Sequence, residues 1–161
     1  MILNVTWDVG THLAFLLAGT LNDATVTGIS DPSSVALDLQ RIRPPRPNFH
    51  DVPLEPGDPV PGVSAYFGRA GAEYTFHPGL SAYGLVRFTG PYTPIGEPTL
   101  TTQAYAVVDA GASVGFGMTT SLDVDLLNAF DTKYPELRSS GYINPGAPRS
   151  LLVSLRLTHP N

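Results

Sequence analysis

The 161-residue chain contains no cysteine, which excludes disulfide bonds and metal sites built from thiolates. Charged residues make up only 14% of the sequence, whereas a typical soluble domain has about 25%. The net charge is −5, Lys133 is the single lysine, and there is no basic block. This composition argues against nucleic acid as a partner.

The sequence also lacks long apolar segments. Its longest apolar run, Leu13–Gly19, falls far short of the roughly 20 residues that a membrane-spanning helix needs. The start of the chain has neither the basic region nor the cleavage pattern of a secretory signal, so we expect none here. A role in a membrane would therefore have to be that of a β-barrel.

What the sequence does have is alternation of apolar and polar residues with the period of two that is typical of β-strands. With 16 glycines and 16 prolines, turn residues are plentiful between the alternating segments. The pattern predicts an all-β, antiparallel up-and-down meander of about seven strands. If these strands lie in a membrane, their odd number makes them a partial, open segment of a transmembrane β-barrel. The predicted strands are Leu3–Trp7, Leu13–Val26, Arg69–Phe76, Leu80–Thr89, Val108–Phe116, Ser121–Leu126 and Ser150–Leu157.

Short and long connections alternate strictly between these strands. The short ones are Asp8–His12, His77–Gly79 and Gly117–Thr119, and the long ones are Thr27–Val60, Gly90–Thr102 and Asp131–Pro148. Outer-membrane barrels have this asymmetry, with short periplasmic turns, long extracellular loops and aromatic girdles at the strand ends. We therefore predict one region over residues 1–161 with a long extracellular loop at 27–60. The girdle candidates are Trp7, Phe76, Phe88, Tyr105, Phe116 and Phe130.

The segment from Asn128 to Tyr134, NAFDTKY, lies between the last two predicted strands. Together with Gly141-Tyr142 and Pro145–Arg149, it resembles the C-terminal end of TonB-dependent outer-membrane receptors. The resemblance extends from about Val60 to Thr158. The residues that carry the motif are Asn128, Phe130, Asp131, Tyr134, Gly141 and Pro148.

This resemblance implies a bacterial outer-membrane protein that takes up a scarce ligand, such as a siderophore-iron chelate or cobalamin, without catalysis, cofactor or metal site. The implied partners are outer-membrane lipid, the remaining barrel strands, an N-terminal plug and, through the plug, the TonB complex. Receptors of this family have about 22 strands around a plugged lumen. Because seven strands would leave the two chain ends on opposite sides of the membrane, we expect a fragment that is inactive alone.

Two groups of residues are candidates for a functional site. Charged residues on the polar faces of the strands would line the lumen, where they would hydrate the interior, pair with one another or with a plug, or guide a substrate. Residues of the last loop could contact a ligand outside. The lumen candidates are Arg69, Glu73, Arg87, Asp109, Asp123, Asp125 and Arg156, and the loop candidates are Arg138, Tyr142 and Asn144.

Other interpretations stay open at this point. A small self-contained outer-membrane barrel with a structural or adhesive role would need an eighth strand, for which only Val35, Leu37 and Leu39 offer weak alternation. Gly111–Gly115 matches G-x-S-x-G, the nucleophile elbow of hydrolases, but no helical period follows Ser113.

Further signals have simpler explanations. Asp123 and Asp125 could act as a catalytic or cation-binding pair, although wetted residues of a barrel interior are the better explanation. The proline-rich stretch Pro44–Pro61 could be a polyproline ligand or an extended loop.

Overall fold

The computed structural model describes residues 1–27, 56–94, 100–117, 119–139 and 142–157. Within these ranges, no helix has the length and hydrophobicity needed to cross a membrane. The described residues form nine β-strands. They are β1 (Ile2–Val9), β2 (Leu13–Leu21), β3 (Tyr66–His77), β4 (Leu80–Thr89), β5 (Tyr105–Phe116), β6 (Thr120–Leu127), β7 (Pro135–Ser139), β8 (Tyr142–Pro145) and β9 (Ser150–Leu157).

Seven of these strands form one antiparallel sheet in the order β1-β2-β3-β4-β5-β6-β9. The predicted meander is therefore confirmed, although β2 ends at Leu21 and not at Val26. Among the described strands, neither β1 nor β9 has a second neighbour, so the sheet that they form is open along both edges.

Short turns lie at one end of this sheet, the turn end, and long connections at the other, the loop end. At the turn end, Gly10, Gly79 and Gly117 adopt φ angles of 65°, 89° and 69°. Glycine adopts these angles without steric cost, which explains its place in each turn. Most of the predicted loop at 27–60 lies outside the described residues; of its base, the structure shows a bridge between Thr25 and Pro59.

The register keeps the apolar residues of neighbouring strands in phase. Ala82 of β4 pairs with Ala112 of β5, which pairs with Val124 of β6, which pairs with Val153 of β9. One face of the sheet, the apolar face, therefore carries most of the apolar residues. The opposite face, the polar face, carries the charged residues together with a few apolar ones such as Leu16, Leu85 and Leu152. A shift of one residue in any strand would mix the two.

No second layer formed by the described residues covers the apolar face. Among the described residues, the buried apolar side chains are Tyr92, Pro94 and Val107, and none of them lies on that face. Trp7 and Leu155, which do, remain 65% and 63% exposed. Within the described residues, these apolar rows are therefore not packed in a dry protein interior.

The last long connection contains a hairpin that the sequence did not predict. Strands β7 and β8 form a separate two-stranded sheet, with Leu137 opposite Asn144 and Arg138 opposite Ile143. The hairpin stands between β6 and β9, so the connection is ordered over most of its length.

Candidate functional site

The seven lumen candidates all lie on the polar face. The register aligns Arg69 with Arg87, and it places Glu73 in one row with Tyr83, Gly111 and Asp125. The charged residues thus share a surface, as the alternation predicts. Some of them pair with one another, and others have no ion-pair partner among the residues that the structure describes.

Arg87 and Asp109 form the closest pair. Arg87 Nε donates to Asp109 Oδ2 at 2.6 Å and Nη2 donates to Oδ1 at 3.3 Å, so the contact has two hydrogen bonds. The Arg87 side chain is 46% exposed and the Asp109 side chain only 6%. Arg69, directly opposite Arg87 on β3, forms no hydrogen bond or ion pair with another described residue. At the loop end of the polar face, Asp109 therefore balances the charge of Arg87, whereas no described residue balances the charge of Arg69.

Tyr83 and Asp125 are joined across an intervening strand. The Tyr83 hydroxyl donates to Asp125 Oδ1 at 2.8 Å, although β5 lies between their strands. The residue between them is Gly111, where a Cβ would lie 2.5 Å from the Tyr83 ring and 2.5 Å from Asp125 Oδ1. Glycine at this position leaves the space that the tyrosine crosses.

A second carboxylate lies one row nearer the turn end. Ser113 Oγ donates to Asp123 Oδ1 at 2.6 Å, and Arg156 Nη2 lies 4.0 Å from Asp123 Oδ2. These side chains border a depression of about 260 Å³ on the polar face. Its polar lining residues are Glu73, Ser81, Tyr83, Ser113, Asp123, Asp125, Ser154 and Arg156.

This arrangement does not support the hydrolase interpretation. Ser113 lies in the middle of β5, and the next element is strand β6, whereas a nucleophile elbow requires a following helix. The described histidines, His12 and His77, form their hydrogen bonds at the turn end, with Thr11 and with the Pro78 carbonyl. Across the described ranges, no group of three or more histidines and carboxylates is placed to hold a metal ion.

Asn128 organises the loop end beyond β6. Its backbone N–H donates to Asp109 Oδ1 at 2.8 Å, and its side-chain Nδ2 donates to the carbonyls of Thr132 and Ala147 at 3.0 and 2.9 Å. Its Oδ1 accepts the Thr132 N–H at 2.8 Å. Asn128 is 2% exposed and has a φ of 50°, which asparagine tolerates better than most residues.

Other residues of the resemblance motif surround Asn128. Asp131, with a φ of 52°, accepts the Lys133 ammonium at 2.9 Å and the Arg149 N–H at 3.1 Å. The Lys133 hydrogen bond, followed by the Arg149 N–H, lowers the pKa of Asp131. The ring of Tyr134 stacks on Tyr105 with centroids 4.6 Å apart.

The remaining motif residues have less defined roles. Phe130 is 77% exposed. The Pro148 carbonyl accepts a hydrogen bond from Ser150 Oγ. Gly141 lies outside the described residues.

The three loop candidates lie on the β7–β8 hairpin. Arg138 is held by its backbone, since its N–H donates to the hydroxyl of buried Tyr92 at 2.9 Å. Asn144 Nδ2 donates to Glu136 at 3.1 Å, and Tyr142 is 52% exposed. A ligand role for these residues stays a prediction.

Sequence reasoning did not identify the residues that hold these groups in place. Tyr83 and Gly111 have a recognisable signal, which is a glycine in register with an aromatic residue of the neighbouring strand. Tyr92 and Thr102 have no local sequence signal. In the connection between β4 and β5, the Tyr92 N–H donates to the Thr102 hydroxyl, which in turn donates to the Tyr92 carbonyl. One girdle prediction was wrong, because Tyr105 is in phase with Asp109 on the polar face and stacks there on Tyr134.

No family model and no curated protein sequence matches the chain. Several solved structures do. The siderophore receptor PiuA from Acinetobacter baumannii aligns with a TM-score of 0.71 at 14% identity, over 96% of this chain and 20% of the receptor. The chain has the fold of part of a siderophore-receptor barrel. The ferric-catecholate import receptor Fiu from E. coli K12 in its closed form gives 0.69 at 19% identity, over 96% of this chain and 20% of Fiu.

BauA, the ferric preacinetobactin receptor from A. baumannii, gives 0.69 at 16% identity, over 96% of this chain and 21% of BauA. The fold that the resemblance to TonB-dependent receptors implied is thus confirmed. The chain spans about one fifth of the length of these receptors. All three are named as receptors and none as an enzyme.

Proposed function

We propose that the chain is a segment of an outer-membrane receptor barrel that takes part in TonB-dependent uptake of a siderophore-iron chelate or cobalamin. The segment carries out no bond chemistry and is inactive alone. Energy for transport would reach the receptor through a plug domain that contacts the TonB complex. The segment itself would supply wall, lumen surface and part of the extracellular rim.

The uncovered apolar face carries this proposal. It runs over all seven strands, and in the described part of the chain its members Trp7 and Leu155 remain 65% and 63% exposed. Lipid is the environment in which such a face is stable, and the opposite face is then a wetted lumen. The match to siderophore receptors over 96% of the chain supports the same assignment.

The polar face supports a lumen role for the predicted residues. Near the loop end, where a ligand would enter, Arg69 presents a cationic group beside half-exposed Arg87, whose charge Asp109 balances. Glu73, Asp123 and Asp125 present carboxylates nearer the turn end. In a barrel these groups would contact water, a plug or a passing anionic chelate.

The alternative of a small self-contained barrel is less well supported. It needs an eighth strand from the region of Val35–Leu39, which lies outside the described residues. The open edges of the described sheet favour a segment of a larger barrel. The match to PiuA favours it too, because it covers 96% of this chain but only 20% of the receptor.

Single cysteines test the membrane placement cleanly, because the chain has none of its own. The chain would be expressed in a Gram-negative host with any coding sequence that is continuous with it. Asn144→Cys, at the loop end, should react with a membrane-impermeant maleimide on intact cells. Thr11→Cys, at the turn end, should react only after the outer membrane is permeabilised, and Leu155→Cys only in detergent. Reaction of Leu155→Cys in permeabilised cells without detergent would rule out a lipid-facing apolar surface.

Uptake is tested separately. Cells expressing the complete protein should grow on a ferric chelate as sole iron source, or take up cobalamin, only when TonB is present. Equal growth with and without TonB would contradict the proposed transport role while leaving the membrane placement intact.

A further inference from the structure

We propose that Asn128 is a positioning residue that clasps the base of the last connection, so that the β7–β8 hairpin is a fixed wall of the rim and not a lid that closes over a ligand. The inference rests on the proposed function only in taking the hairpin as part of the extracellular rim that a ligand would meet. The order of the connection follows from contacts within the chain.

The clasp works because one side chain holds both ends of the connection. The Asn128 amide donates to the Thr132 carbonyl near the start and to the Ala147 carbonyl near the end. Its Oδ1 accepts the Thr132 N–H. A single planar amide therefore fixes the separation of the two ends, and each of its hydrogen-bonding groups is used.

The clasp is also fastened to the sheet. The Asn128 N–H donates to Asp109 of β5, and the next N–H, of Ala129, donates to the Val108 carbonyl at 2.7 Å. Asp109 is in turn held by Arg87 of β4. The base of the connection thus moves with three strands of the sheet and not independently of them.

Contacts above the clasp extend the order toward the hairpin. Tyr134 stacks on Tyr105, and its carbonyl accepts the Gly146 N–H at 2.8 Å. A Cβ at position 146 would collide with the Tyr134 ring, so the two segments approach as closely as glycine allows. Tyr92, from the neighbouring connection, accepts the Arg138 N–H. A hinged lid would need a base free of such contacts.

Hydrogen–deuterium exchange on the full chain in detergent micelles tests the clasp. In the wild type, the amides of Thr132, Gly146 and Arg149 should exchange far more slowly than in a free peptide. Asn128→Gly keeps the positive φ accessible but removes the side chain, so exchange at these amides should rise by about tenfold or more. Asn128→Asp replaces the donor group by an oxygen that faces the Thr132 and Ala147 carbonyls, so it should also raise exchange at these amides.

Asn22→Gly is the matched control. Asn22 Nδ2 donates to the Ser64 carbonyl at 2.9 Å at the base of another connection, so its loss should leave exchange around Thr132 and Gly146 unchanged. Free-peptide exchange in the wild type would overturn the inference, and this measurement needs no variant to fold. An equal rise at amides of β3 and β4 in Asn128→Gly would also overturn it, because it would indicate general destabilisation. Neither measurement involves ligand or TonB, so failure of the proposed function is scored separately.

Discussion

A methyl group at Gly111 should break the contact that crosses β5. A Cβ at this position would lie 2.5 Å from Asp125 Oδ1 and 2.5 Å from the Tyr83 ring. Both side chains would have to move, and the hydrogen bond of 2.8 Å between them would be lost. We therefore expect Gly111→Ala to destabilise the sheet.

The magnitude follows from two opposing contributions. A hydrogen bond to a charged group contributes about 1.5–3 kcal/mol, and the half-buried setting of this one favours the lower part of that range. Alanine in a strand is about 0.5–1 kcal/mol more favourable than glycine. The free energy of unfolding of Gly111→Ala should fall by about 1 kcal/mol. Gly84, on the neighbouring strand, has nothing within 4 Å of an added Cβ, so Gly84→Ala should instead be stabilising.

Urea unfolding in detergent micelles, followed by circular dichroism, measures both variants against the wild type. Tyr83→Phe should reproduce most of the loss, because it removes the same hydrogen bond. Combining it with Gly111→Ala should then add little, since the two changes share one interaction. If Gly111→Ala and Gly84→Ala shift the unfolding midpoint equally and in the same direction, the space above Gly111 has no role in stability.

Two further perturbations address the charged groups. Arg87→Gln leaves the Asp109 carboxylate without its arginine partner, so the free energy of unfolding in the same urea assay should fall by about 1–3 kcal/mol. Arg69→Gln should stay within about 0.5 kcal/mol of the wild type. Equal losses in the two variants would contradict the assigned pairing. Since the Lys133 hydrogen bond lowers the pKa of Asp131, that carboxylate should stabilise the loop base above its unfolded pKa of about 3.9 and cease to do so as the pH falls through its folded pKa. Amide exchange at Arg149, corrected in both proteins for the pH dependence of the intrinsic rate, should therefore rise on acidification in the wild type. In Asp131→Asn the corrected rate should not change with pH.

The main sheet could be predicted from sequence because most of its strands are long and alternate clearly. From Leu80 to Thr89, for example, the aliphatic residues fall on one face with the exception of Leu85, and Pro78-Gly79 ends the preceding strand with a turn. In such segments periodicity, turn chemistry and register agree.

The β7–β8 hairpin could not be predicted in this way. Its strands have five and four residues, and prolines stand at the outer ends. No alternation can build up over so short a length, and the hairpin depends on contacts from distant residues such as Tyr92.

The site was predictable only to the level of which face each residue occupies. Alternation placed Arg87 and Asp109 on one surface, but their pairing depends on the register between β4 and β5. The role of Asn128 depends on a positive φ and on carbonyls 4 and 19 residues away, which no local pattern encodes.

The directions of the two outermost strands constrain whatever completes the wall. Six antiparallel steps separate β1 from β9, so both strands point the same way. Copies of this chain inserted with one orientation would meet along a parallel seam, which bacterial outer-membrane barrels avoid. A closed antiparallel barrel therefore requires an odd number of additional strands between β9 and β1. The first and the last of these strands must both run opposite to β1 and β9.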